Sequence, residues 1–350
     1  MPTLSQISSE TRILVKWCGI TLGAVIFLFI LFKLGVMTKN ALYPTPPPPP
    51  TVGYNKLPQI DFPRQEGSKN FVFYVDTVSG KLPNFPDRVS VFRMIKPQAD
   101  LLALKKAEEK LSRIKFDLIP TLVSKNVYRF TTSSPFPKTL LYNIFTSDFT
   151  LTSSYITDVN VVSGKNFPTD VSIISDIAQN FLSGIGALPT TDLDLERIKT
   201  ELLTINNYVL MPTTSISSAQ AARVYFFQNN KNKLPIFYTD PNTSPINLLI
   251  TGGKDQPQVV EAKFTYQEAS DESETYPIRT ASEALDELKN GNGFIASNPT
   301  KKNSISITNI YLAYYISENR QNYLMPIVVF EGNENFFAYI SAIKDEWISM

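Results

Sequence analysis

Histidine is absent from this sequence, and cysteine occurs once, as Cys18. The first absence removes histidine-based triads and dyads, imidazole metal ligands and the commonest general base near neutral pH. The second removes any intrachain disulfide and the Cys/His type of zinc centre. An excess of one charge is lacking too. The 33 basic and 32 acidic residues leave a net charge of +1, and no basic stripe of the kind that grips nucleic acid is visible. No cofactor, metal or nucleic-acid partner is expected from this composition.

What is present is apolar. Hydrophobic residues make up 43% of 350 positions, enough for a packed core without disulfides and a length suited to about two domains. The longest apolar run lies in "ILVKWCGITLGAVIFLFILFKLGV", residues 13–36, where no charge interrupts Trp17 to Phe32. Lys16 and Lys33 bracket it and can snorkel toward headgroups. A helix of that length measures about 36 Å, enough for a bilayer core of about 30 Å. A cleaved signal peptide is the competing reading. Against it stand Lys33 at the end of the run and the lack of a small-x-small cleavage site after it.

The positive-inside count is a tie, with Arg12 and Lys16 before the span and Lys33 and Lys39 at or after it. A short tail, one span and then the bulk of the chain point to a cytoplasmic N-terminus and an extracytoplasmic remainder. Gly19 and Gly23 form a G-x-x-x-G pattern, whose small residues one turn apart would let a second copy approach closely. They are the candidates for self-association, although glycine is common in membrane helices.

Six of the seven residues from Pro44 to Pro50 are proline. Proline fixes φ and removes the N–H donor, so this stretch predicts a polyproline II spacer of about 20 Å. A docking site for a proline-reading domain is the weaker alternative. The expected organisation is therefore a tail at 1–12, a transmembrane helix at 13–36, a proline-rich stalk at 37–55 and three folded segments. These are a first α+β unit at 56–165, a middle α/β segment at 166–270 and a C-terminal unit at 271–350.

Within the first unit, "FVFYVD" and "RVSVFRMI" predict two strands over 71–95, followed by a helix after Pro97 with Leu101, Leu104, Leu111 and Ile114 on one face. Strands are expected at 126–132 and 139–154. Helices are expected at 170–183, stopping at Gly184 and Gly186, and at 192–205, where Leu195, Ile198, Leu202 and Ile205 fall on one stripe. Strand patterns return at 223–228, 234–238, 246–251 and 259–267. In "TASEALDELKNG", 280–291, Thr280 and Glu283 have capping-box spacing, Ala281, Ala284, Leu285 and Leu288 make the buried stripe, and Gly291 or Gly293 can close the helix. Three strands follow, at 304–317, 323–332 and 336–343. The order of helix, strand and hairpin at 97–154 and again at 280–343 predicts an α+β protein with antiparallel sheets, packed helices and a duplicated unit.

Glu283-Ala284, Tyr314-Tyr315, Pro326 and the Tyr339–Ala342 stretch carry a resemblance over about 70 residues. This C-terminal unit resembles PepSY-like and YycH/YycI-type extracytoplasmic domains. The resemblance implies one N-terminal span joined to an outer domain, and a partner in the envelope or membrane. For the YycH/YycI type that partner is a sensor kinase, and PepSY-like domains are linked to restraining peptidases. The whole chain also resembles uncharacterised membrane-anchored proteins of small-genome bacteria. The matching residues are structural and include no catalytic group.

Other motifs fall short of chemistry. "TGGK", 251–254, lacks the first Walker glycine, with Leu248 in its place, and carries Asp255 where Ser or Thr is needed. "SGK" at 79–81 and 163–165 reads as turns. "SRIK", 112–115, matches S-x-x-K but lies at a helix C-terminus without its companion motifs. Glu268, Asp271, Glu272 and Glu274 lack EF-hand spacing and read as a solvated loop. Tyr311, Tyr314 and Tyr315 are candidates for a recognition surface, with half-buried sheet packing as the alternative. The function expected is a non-catalytic, membrane-anchored binding or regulatory protein. A cell-envelope hydrolase using carboxylates or a Ser/Lys pair is the alternative, since neither needs histidine.

Overall fold

The computed structural model describes residues 4–42, 49–64, 71–116, 119–132, 136–188 and 191–349. They form two compact units, Met1–Pro49 and Pro50–Met350. The first is helix α1 (Leu4–Leu42). Its Lys16–Thr38 stretch has a mean hydropathy of 2.4 and is not buried against protein. The threonine hydroxyls inside this stretch are satisfied by the helix itself: Thr21 donates to the Trp17 carbonyl at 3.0 Å and Thr38 to that of Leu34 at 2.9 Å. Gly19 and Gly23 both lie in α1, and Gly23 has open space where a Cβ would project. Residues 43–48 of the expected stalk lie outside the described residues.

In chain order the second unit runs β1 (Val72–Val75), β2 (Arg88–Met94), α2 (Ala103–Ser112), β3 (Thr121–Ser124), β4 (Val127–Thr132), β5 (Lys138–Asn143), β6 (Phe149–Ser153), α3 (Val159–Val162), α4 (Val171–Gly184), β7 (Leu193–Asn206), β8 (Val209–Pro212), β9 (Ala221–Gln228), β10 (Ile236–Phe237), β11 (Ile246–Thr251), β12 (Gln258–Phe264), β13 (Ala269–Pro277), α5 (Ala281–Lys289), β14 (Phe294–Ser297), β15 (Ser304–Tyr315), β16 (Tyr323–Gly332) and β17 (Phe336–Ser341). The chain is thus an α+β protein with an apolar N-terminal helix, large mainly antiparallel sheets and few helices.

One sheet has the order β3-β4-β5-β6-β12-β11-β9-β7-β8. It is two meanders placed edge to edge. Helix α2 precedes β3–β6, and α4 precedes the strands β7, β9, β11 and β12. The last strand of each meander pairs antiparallel with the other, Leu151 opposite Ala262 and Phe149 opposite Phe264. This pairing removes two exposed strand edges at once. Ala107 and Leu111 of α2 and Ile174, Ala178 and Leu182 of α4 enter the same core over this sheet. A boundary at 165/166 therefore falls inside one sheet, with strands from both segments 56–165 and 166–270.

The second sheet has the order β1-β15-β16-β17-β14, with β10 also on β15 and β2 joining β16 to β13. Here too the expected segments mix, because β1 and β2 come from the first and β10 from the second. Helix α5 has the expected capping box, Glu283 N donating to Thr280 Oγ1 at 3.2 Å and Thr280 N to Glu283 Oε2 at 2.7 Å. Ala284, Leu285 and Leu288 pack in one core with Val328, Ala338 and Ile340 of the sheet.

Helices α2, α4 and α5 end in the same way. A left-handed residue follows the last turn, and two N–H groups fold back onto its carbonyls. At α4 these are Gly186 N to Ser183 O, 3.0 Å, and Ala187 N to Leu182 O, 2.8 Å; at α5, Gly291 N to Leu288 O, 3.1 Å, and Asn292 N to Glu287 O, 3.0 Å. At α2 the bonds are Lys115 N to Ser112 O and Phe116 N to Leu111 O, both 3.0 Å. Glycine fills the left-handed position twice, at φ +75° and +82°, whereas at α2 a lysine holds φ +67°. A side chain is disfavoured there.

Two readings of the sequence are corrected. The helix expected at 192–205 is strand β7. Its apolar residues face both sides, Leu202 toward the helix-covered core and Leu203 and Ile205 toward the other face. A register shift between Asp194 and Lys199, with Asp194 Oδ1 accepting from the N–H groups of Glu196 and Arg197, breaks the two-residue period. The acidic stretch 268–274 is mostly strand β13 rather than loop. Asp271 pairs with Lys231 at 2.9 Å, and Glu272 approaches Arg93 at 3.8 Å.

The chain enters the second unit as part of its fold. Thr51 and Val52 bond to Thr275, Asn55 O accepts from Tyr276 Oη at 2.9 Å, and Leu57 pairs with the C-terminal segment through Trp347 O and Ser349 N, each at 2.8 Å. Residues 51–55, expected in the stalk, are ordered structure. A chain starting at Pro50 should unfold cooperatively in urea, and one starting at Leu57 should unfold at a lower concentration. Equal midpoints would show that residues 51–56 contribute nothing. At α5, Leu288 is 2% exposed and Lys289 is solvent-facing. Leu288→Ala should cost about 2–5 kcal/mol, and Lys289→Ala should stay within about 0.5 kcal/mol. Similar losses for both would mean that the helix face is misassigned.

Candidate functional site

Tyr311, Tyr314 and Tyr315 do not make a recognition surface. Neighbouring residues of a strand point to opposite faces, and the sheet is covered on both. Tyr314 is fully buried in the α5-side core and donates to Ser90 O at 2.8 Å. Tyr315 is fully buried on the other face, where Phe62 crosses it at 4.9 Å and its hydroxyl meets Thr239 Oγ1 at 3.2 Å. Tyr311 is half-buried beside Phe237.

The motifs weighed for chemistry serve the backbone. A Cβ on Gly252 would stand 2.1 Å from the Lys165 carbonyl oxygen, and Gly253 N donates to that oxygen at 2.8 Å. The glycines of "TGGK" thus let two loops touch and cradle no phosphate. Ser112 of "SRIK" donates to Glu109 O at 3.0 Å. Among the described residues no serine hydroxyl is hydrogen-bonded to a lysine ammonium. Glu261, a central carboxylate of the large sheet, has its oxygens taken by Tyr155 Oη at 3.0 Å and Arg223 Nη2 at 2.8 Å.

What the fold does assemble is a cleft of about 740 Å³ at the C-terminal ends of the two sheet-covering helices. Arg113, Ile114, Lys115 and Phe116 come from the end of α2, Ile177 and Phe181 from α4, Lys138 from β5, and Lys254 and Asp255 from the loop after β11. The α2 termination motif positions the lip: it buries Phe116, turns the chain and leaves Arg113 and Lys115 exposed. On α4, Ile177 and Phe181 are one turn apart and share a face. Lys138 stands two residues before the fully buried Leu140, so strand alternation sends it to the helix-covered side.

Lys138 is the unusual group. Its Nζ donates to Val259 O at 2.9 Å and lies 5.2 Å from the Phe136 ring centroid. No carboxylate among the described residues pairs with it. Burial pulls its pKa from 10.5 down to about 8, because desolvation disfavours the ammonium. Arg113, Lys115 and Lys254 likewise have no ion pair among the described residues. Two cations elsewhere are held by carboxylates. Arg223, in a smaller cleft of about 270 Å³, is held by Glu261 and Asn247, and the buried Arg279 by Asp345 and backbone carbonyls. Sequence reading singled out Arg113 and Lys115 only inside "SRIK", as failed serine chemistry, and missed Lys138. No local pattern marks a lysine whose burial depends on a strand 121 residues away.

No family model and no curated protein matches the chain. Among the solved structures similar to it, two are alike at a low level. One is the crystal structure of an uncharacterized protein from Eubacterium rectale ATCC 33656, with 12% identity and a TM-score of 0.35, covering 78% of this chain and 88% of that one. The other is the C-terminal domain of YpeB from Bacillus megaterium, with 10% identity and a TM-score of 0.33, covering 71% of this chain and 95% of that one. Likeness at this level says nothing about what the chain binds.

The charge on Lys138 is a cost to the fold. The unfolded chain holds that proton more tightly than the folded one, so the penalty is present below about pH 8 and fades as pH rises toward 10.5. Lys138→Met should therefore melt at or above the parent temperature at pH 7, and the parent should gain stability on the variant between pH 8 and 10.5. A clearly lower melting temperature for the variant at pH 7 would show that the lysine supports the fold.

Proposed function

We propose that this chain is a single-pass, membrane-anchored binding protein whose larger unit faces the extracytoplasmic side and works without catalysis. The observation that carries this reading is α1. Trp17, Phe27 and Phe32 are each more than half exposed along a helix long and apolar enough to cross a bilayer. Leaving that surface in water costs about 25 cal/mol per Å² of apolar area, and a lipid environment removes the cost. A signal sequence would carry the same helix; Lys33 closing a 16-residue uncharged run favours retention.

The proposed partner is another envelope or membrane protein, or an envelope component. The PepSY-like pattern of the C-terminal unit supports a regulatory role toward such a partner. The Gly19–Gly23 face offers a close-approach surface for a second copy of the helix. On this reading protease added to intact cells, with the outer wall opened, digests residues 51–350. Complete protection until the cells are lysed would overturn the orientation.

A further inference from the structure

We infer that the cleft between α2 and α4 binds a phosphate ester, with the phosphate held by Lys115, Lys138, Arg113 and Lys254 and an apolar remainder lying on Ile114, Ile177 and Phe181. This rests on the reading of the chain as a binding protein and names the chemistry of what it binds.

Two features point to an anion. Four cations face one carboxylate, Asp255, among the residues described around the cleft. Lys138 is half-buried, its ammonium meeting the Val259 carbonyl and the Phe136 ring and no carboxylate among the described residues. Lys115 occupies a left-handed position that glycine fills at the other two helix ends. None of the four cations has an ion pair among the described residues, so the cleft carries a net positive charge.

The chemistry narrows further. A phosphate monoester, with close to two negative charges near pH 7, offsets most of the excess of four cations over one carboxylate. Three of the four groups are lysines, point charges that suit a tetrahedral set of oxygens better than a planar carboxylate, for which the arginine fork is the natural partner. The volume of about 740 Å³ exceeds what inorganic phosphate needs, and the lining also includes Ile114, Ile177 and Phe181. Sites of this size hold small organic ligands by apolar contact, with a few polar groups fixing orientation.

The test uses the full chain in phosphatidylcholine nanodiscs, with phenyl phosphate, inorganic phosphate and benzoate as calorimetric probes. Phenyl phosphate should bind at least about tenfold tighter than benzoate, and tighter than inorganic phosphate. Lys138→Met and Lys115→Gly should each weaken phenyl phosphate about tenfold or more, as expected for a lost charge-assisted hydrogen bond. Both variants should melt at or above the parent temperature, so weaker binding cannot be ascribed to unfolding. Nanodiscs doped with phosphatidic acid separate two sources of the same chemistry: loss of phenyl phosphate binding there identifies a lipid headgroup, and unchanged binding identifies a soluble ester. No binding of phenyl phosphate, equal binding of benzoate, or full binding by Lys138→Met would overturn the proposal. The probes reach both faces of a nanodisc, so this result is independent of the orientation tested by proteolysis.

Discussion

The pairing of β6 with β12 is the contact on which the large sheet depends. Each meander ends in a strand with one open edge, and an open edge is both unsatisfied and adhesive. Joining the two edges makes nine strands continuous and stacks Phe149 on Phe264, with centroids 5.2 Å apart and rings 5° from parallel. It also draws α2 and α4 over the same face until their C-terminal ends meet. A Cβ on Gly184 of α4 would already stand 3.0 Å from Ile114 just beyond α2. The cationic cleft is a by-product of that seam: neither half of the sheet contains it alone.

The two sheets of the larger unit are joined by a polar network centred on the buried Gln267 and Gln228. Gln267 is buried, donates to the carbonyls of Ser317 and Asn319 at 3.0 and 3.2 Å, and accepts from Gln321 N at 3.0 Å. Its own carbonyl takes a bond from Gln228 at 3.0 Å. Beside it Arg320 reaches Asp148 at 2.7 Å. Buried amides satisfied in this way fix one relative placement of the sheets, because any slip would strand several donors at once. The start of the unit is bound in by hydrogen bonds at Thr51, Asn55 and Leu57. A pull on the preceding segment would therefore load residues 51–57 first.

Legibility in the sequence follows the range of the determining forces. Helix α5 was readable because its stripe, its capping box and its closing glycine all lie within twelve residues of one another. The C-terminal strands were readable because three long β-rich runs follow in series. Strand β7 was not, because a bulge broke its period and cover on both faces removed the polar alternation. The acidic residues of β13 looked like solvated loop because their cations, Arg93 and Lys231, come from distant positions. The tyrosines of β15 were ambiguous from the start, since an aromatic run looks alike whether its sheet is covered on one face or two.

The sequence by itself determined the apolar N-terminal helix, since length and hydropathy alone make it fit a bilayer, and it determined most helices and hairpins, since their signals are local. The tertiary structure alone decided how the meanders join, which tyrosines are sealed and which lysines stand without a counter-charge. Those are outcomes of pairing between strands more than a hundred residues apart, such as Leu151 with Ala262. The energy of such a pairing resides in no single segment, so no reading of one segment reveals it.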